Sequence, residues 1–187
     1  MALLDYVPPD VEDERIQKLF EADADLYGRP SLFARMMAHN PSVLEARQEY
    51  VGSLVESGIL DATEAELAYV AVAAENECSY CVASHTERLV EHVGMSRDRV
   101  DAIVTGEEIE AEFSEREQAI VSFAREAASD PKRVSDHDLK RLRDVGFDDE
   151  DIIELVTIAG AAVSANVITD TLNVLLQDQT ALEEYES

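Results

Sequence analysis

The stretch ENECSYCVASHTERL, residues 75–89, holds both cysteines of the chain and one of its four histidines. Cys78 and Cys81 stand three positions apart, and His85 follows Cys81 by four. If the segment is helical from about Cys78, an advance of about 100° per residue puts Cys81 about 60° around the axis from Cys78 and His85 about 20°. All three then share one face. A disulfide between residues three apart stabilises little, because so short a loop removes little chain entropy. Such a pair is better suited to redox chemistry than to stapling. A helix start also favours a thiolate through its unpaired amides and macrodipole. His85, one turn beyond Cys81, is placed to accept a thiol proton or to stabilise the anion. Glu75 and Glu77 oppose this by disfavouring a second negative charge.

Other readings of the same residues stay open at this point. The cysteines could be inert core side chains, and His85 a surface histidine without a role. A zinc clip would need four ligands, and this segment supplies three, with His92 on the same face two turns further on. Glu66, twelve residues before Cys78, heads an apolar helix where partial burial would raise its pKa towards usefulness in proton transfer. Yet Thr63 and Glu66 also have the spacing of a capping box, a purely structural role.

These residues need helices to hold them, and helical spacing runs through most of the chain. VEDERIQKLFEADADLYG turns Val11, Ile16, Leu19, Phe20 and Leu26 to one side and is stopped by Gly28 and Pro30. PSVLEARQEYVGSLVESG opens with Pro41 in a first turn and ends at Gly58. DATEAELAYVAVAAE is apolar almost all round after Glu66, the mark of a buried helix. The cysteine-bearing helix is expected to run to about Gly94. SEREQAIVSFAREAASDP opens with a Ser114–Glu117 capping box and ends before Pro131. SDHDLKRLRDVG and DDEDIIELVTIAGAAVSANVITDTLNVLL complete the pattern. No segment has a strand alternation bounded by turn residues. TEAELAYVAVA from Thr63 and SEREQAIVSFA from Ser114 echo one another, as a duplicated unit would or as two capped amphipathic helices would. The expected fold is all-α, one domain over residues 1–187 with a core at about 8–175.

The 187 residues carry 15 Lys plus Arg against 41 Asp plus Glu, a formal net charge of −26. Such a field repels phosphate backbones and anionic bilayers, which argues against nucleic-acid and membrane-surface partners. With 46% hydrophobic residues the chain has material for a core, so the acidic, lysine-poor surface suggests a salt-adapted (halophilic) protein rather than a disordered one. No unbroken run of 18 apolar residues is present, so no membrane span is expected. The N-terminus MALLDYVPPD lacks the basic and apolar regions of a secretory signal, and the cytoplasm is the expected compartment.

The combination Glu66, Cys78, Cys81 and His85 resembles the alkylhydroperoxidase D-like branch of the carboxymuconolactone decarboxylase superfamily, and most closely its peroxidase-related members. LYGRPSLFARMMAHNPSVLEA and FAREAASDPKRVSDHDLKRLRDVGFDDEDIIELV extend the likeness over about residues 8–175. The resemblance implies an all-helical fold assembled into homotrimers or homohexamers. It also implies a thiol peroxidase or disulfide reductase that needs no haem, flavin or metal. A peroxide would be the substrate, and a lipoyl-bearing protein, thioredoxin or peroxiredoxin the partner thiol. By the same resemblance Cys81 is the peroxidatic cysteine, Cys78 the resolving one, and His85 with Glu66 the proton relay. Two positions depart from the family pattern. Tyr80 stands where the best-known members carry histidine, and becomes a candidate substrate contact. Asn166-Val167 stands where an Asn-Arg pair is frequent. The competing class is a non-enzymatic helical oligomer whose CxxC is a redox sensor or zinc clip.

Overall fold

The computed structural model describes residues 1–106 and 113–176; the remaining residues of the expected domain, 107–112 and 177–187, lie outside the described residues. Nine α-helices and no strands occur among the described residues, as the periodicity predicts. They are α1 (Glu14–Tyr27), α2 (Leu32–Met37), α3 (Pro41–Ser57), α4 (Ala62–Glu75), α5 (Ser79–Arg88), α6 (Arg97–Thr105), α7 (Glu115–Ser129), α8 (Asp136–Asp144) and α9 (Asp149–Leu172). A single π-turn, Leu89–Val93, continues α5 and is closed by Gly94 in the left-handed region, φ 78°. The backbone forms two compact units, one from Met1–Gly52 with the segment from Thr169, the other from Ser53–Ile168.

In the first unit, Asp13 caps α1 by accepting from the amides of Arg15 and Ile16, so the helix starts where an acidic side chain can satisfy its free donors. Ile16, Leu19 and Phe20 of α1 meet Ala34, Ala38 and Leu44, which is the face the sequence spacing predicts. The N-terminal segment is tied down by the Leu3 amide, which donates to the Leu172 carbonyl at 2.9 Å.

The second unit is built around α4. Every residue from Glu66 to Ala73 is buried, which is why the sequence there is apolar on all sides. Leu67, Val70, Leu89, Val100, Ile103, Ile120, Leu142 and Leu155 pack into one core with it. Burying each such side chain contributes about 1.5–3 kcal/mol. The helix does not open as the sequence suggests. Asp61, not Thr63, is its cap, and Glu64, not Glu66, closes the capping box. Asp61 offers a carboxylate two residues earlier, and this frees Glu66 from the first turn. Ser114 and Glu117 do form the expected box at the start of α7. The caps of α4 and α7 therefore align two residues out of step with the sequence echo, which reflects shared helical grammar rather than a repeated unit.

Helix α9 is the longest among the described residues, and its second turn is held to the end of α3 and the α3–α4 link by Glu154. That buried carboxylate accepts from the Leu60 amide at 2.9 Å and from the Ser57 hydroxyl. By length and composition α9 is apolar enough to cross a membrane, its apolar stretch being interrupted by Glu154 and otherwise by Thr, Ser, Gly and Asn. More than half of that stretch is buried inside the protein, in the manner of a core helix.

Candidate active site

The link between α4 and α5 sets the positions of the cysteines. Asn76 ends α4, and Glu77 takes a left-handed conformation, φ 56°. This lets the Cys78 amide donate back to the Ala73 carbonyl at 2.9 Å and the Glu77 amide to Ala74 at 3.1 Å, the closing pattern of a helix C-terminus. The chain then reverses at once into α5. Cys78 becomes the N-cap of α5, and its Sγ accepts the amide N–H of Cys81 at 3.4 Å. The helix start inferred from the sequence is thus in place, with Cys78 as the cap and Cys81 in the first turn. Both side chains are buried, Cys78 at 0% exposure and Cys81 at 4%. Tyr80, in the same turn, is buried as well.

One turn beyond Cys81, His85 meets Glu66. Its Nδ1 lies 2.6 Å from Glu66 Oε2. The imidazole stacks flat on the ring of Tyr69, centroids 4.4 Å apart and planes 9° from parallel. The other carboxylate oxygen, Oε1, receives Arg88 Nη1 at 2.9 Å. Glu66 is itself only 5% exposed. The structure therefore brings Glu66 and His85 into direct contact across α4 and α5, and it binds Cys78 to Cys81 through the helix cap.

The charge state of Glu66 differs from the sequence expectation. Burial does oppose the anion, as expected, but the charge and hydrogen bond of His85 and the charges of Arg88 and His92 outweigh it. They hold the carboxyl below its ordinary value. The apolar helix makes the burial legible in the sequence, whereas the compensating cations come from α5 and the π-turn after it.

Two residues of the constellation escaped the sequence reading. Arg88 stands three after His85 and Tyr69 three after Glu66, each the spacing of helical neighbours on one face. That spacing was the available signal. His92 is exposed on the π-turn. Among the described residues, no group of three or more His, Cys, Asp or Glu is arranged to hold a metal ion. Asn166 is buried on α9, and its Oδ1 accepts from Asn76 Nδ2 at 2.9 Å, so it braces the α4–α5 link; the neighbouring Val167 is exposed.

Residues 41–126 match the carboxymuconolactone decarboxylase family. Among solved structures, the chain is similar to an uncharacterised peroxidase-related protein with an alkylhydroperoxidase AhpD core from Ralstonia eutropha JMP134. The TM-score is 0.83 at 22% identity, over 95% of this chain and 93% of that one. A peroxidase-related protein from Silicibacter sp. TM1040 gives 0.81 at 22% identity, over 93% and 91%. A cysteine-to-alanine variant of the debrominase Bmp8, in complex with 2,3,4-tribromopyrrole, gives 0.82 at 13% identity, over 98% and 99%. No curated protein sequence matches the chain.

Proposed function

We propose that this chain, whose residues 41–126 match the carboxymuconolactone decarboxylase family and whose fold is that of the peroxidase-related structures, is a thiol-dependent peroxidase working through a Cys78–Cys81 dithiol cycle. The observation that carries this reading is the pairing of a capped CxxC at the start of α5 with a Glu66–His85 contact of 2.6 Å one turn further on. In the cycle, the Cys81 thiolate attacks one oxygen of the peroxide. His85 first takes the Cys81 thiol proton to give that thiolate; an S–O bond forms, the O–O bond breaks, and the departing alkoxide or hydroxide takes the proton back from His85. The Cys78 thiol then attacks the sulfenic sulfur; an S–S bond forms and water leaves. An external dithiol, such as a lipoyl-bearing protein or thioredoxin, reduces the disulfide and restores both thiols.

The near-complete burial of both cysteines favours hydrogen peroxide or a small organic hydroperoxide over a bulky one. A dithiol site can also serve as a disulfide reductase, and the debrominase of the same fold makes a halogenated pyrrole a sensible further substrate to assay. The test is thiol titration before and after one equivalent of hydrogen peroxide, followed by peroxide consumption with dihydrolipoamide and with thioredoxin in high salt. Loss of both thiols and donor-dependent turnover support the reading. Survival of both thiols, with zinc co-purifying, would sink it in favour of the non-enzymatic class.

A further inference from the structure

Glu66 has two oxygens and two different cationic or donor neighbours, and this division of labour restricts what the carboxylate can do. Oε1 is taken by Arg88 at 2.9 Å and Oε2 by His85 Nδ1 at 2.6 Å. Arginine is a donor only and keeps its proton at any pH a protein tolerates. A carboxylate clamped in this way acts as an acceptor on both oxygens. His85 Nδ1 must then be the donor of the 2.6 Å contact, which leaves Nε2, in the neutral ring, as the nitrogen with a lone pair. The flat stack on Tyr69 fixes the ring plane, so Nε2 has a defined direction.

We propose that Arg88 is a positioning residue that makes Glu66 a fixed anion, so that Glu66 selects the tautomer and orientation of His85 rather than carrying a proton itself. The inference rests on the peroxidase reading only for its catalytic consequence; the tautomer stands independently of it. The geometry parallels the orienting carboxylate behind a catalytic histidine, where losing the anion leaves the ring in the wrong tautomer. Other charged groups nearby are engaged or outward. On α6, Arg97, Asp98 and Asp101 are exposed, while Arg99 is bound to Glu117 at 3.0 Å. On α7, Arg116 is paired with Glu64 and Arg125 lies 3.8 Å from Glu75. On the segment that continues α5, Glu91 and His92 are exposed, and His92 adds to the positive field on Glu66.

The test uses nitrogen-15 NMR of the imidazole and carbon-13 NMR of the Glu66 carboxyl, in the full-length protein. In the wild type, neutral His85 is expected to carry its proton on Nδ1, with Glu66 ionised throughout the neutral range. In Arg88→Met, the Glu66 titration is expected to move to higher pH and an Nε2–H population of His85 to appear. Arg88→Lys, which keeps the charge, is expected to restore most of the wild-type pattern. In peroxide assays, Arg88→Met should lower kcat by about tenfold or more with KM little changed, the pattern of an interaction realised in the transition state. A wild-type ring protonated on Nε2 when neutral, or an Arg88→Met variant that keeps both the tautomer and the Glu66 titration, overturns the inference. If Arg88→Met does not fold, the wild-type tautomer and Arg88→Lys still decide it. Absence of peroxidase activity in the wild type would remove the peroxidase reading and leave the NMR outcome to judge Arg88.

Discussion

Cys78 caps the helix that carries Cys81: its sulfur accepts the Cys81 amide hydrogen at 3.4 Å, so the two cysteines are joined by a hydrogen bond before any disulfide forms. The contact gives them different tasks in the backbone, one outside the helix and one within its first turn. This asymmetry makes single replacements informative.

Cys81→Ser is expected to abolish peroxide turnover, whereas Cys78→Ser should leave a sulfenic acid on Cys81 that a dimedone-type reagent traps. Mass spectrometry of the labelled peptide locates it, and a sulfenic acid on Cys78 would reverse the two roles. Serine is also a good N-cap, so Cys78→Ser should keep its melting temperature better than Cys78→Ala. Losing the cap altogether costs about 0.5–2 kcal/mol.

Glu66→Gln replaces the anion by a neutral amide between His85 and Arg88. Hydrogen bonds to a charged group in such a setting contribute about 1.5–3 kcal/mol, so the variant should be measurably less stable at neutral pH. The folded carboxyl titrates below the unfolded reference of 4.5. Its stabilisation is therefore fully present above that value and is lost as pH falls through the lower, folded one. Urea denaturation of both proteins at several pH values should give curves whose midpoints converge below about pH 4.5. A constant gap across the acid range would contradict this sign.

Glu77→Gly should raise stability by roughly 0.5–1 kcal/mol, because glutamate bears a left-handed penalty of about 1–2 kcal/mol at φ 56° that glycine partly avoids at a cost in chain entropy. The denaturant midpoint reads this directly. The substitution also removes a negative charge beside Cys78, so the rate of thiol alkylation should rise at a given pH.

A net charge of −26 should make the folded state unstable in dilute buffer. Melting temperature is expected to climb as KCl increases from about 0.1 M, where the screening length is about 10 Å, towards 1 M, where it is about 3 Å. A melting temperature that falls or stays level with salt would argue against the salt-adapted reading.

The sequence made the helices legible because each has a clear apolar face or a clear cap. Ser114–Glu117 and Gly94 are in the places their residue types predict. The opening of α4 is ambiguous in the sequence because two overlapping patterns, Asp61–Glu64 and Thr63–Glu66, have the same three-residue offset, and in the structure Asp61 and Glu64 form the box. In the site, Cys78, Cys81 and His85 could be grouped by helical angle alone. Arg88 could not, because an arginine on an acidic chain has many carboxylates to choose from, and only the burial of Glu66 singles out this one. The direction of the Glu66 shift depends on the same contact.

The immediate turn from α4 into α5, fixed by Glu77, has a consequence for how the protein acquires its chemistry. Glu66, Tyr69, Cys78, Cys81, His85 and Arg88 all fall within residues 66–88, on two neighbouring helices and the three-residue link between them, which ends in Cys78. The constellation is thus a helical hairpin of short contact separation, able to form before the distant helices dock. The reactive contacts thus come from one short stretch of chain, to which the distant helix α9 adds the Asn166 brace on the link.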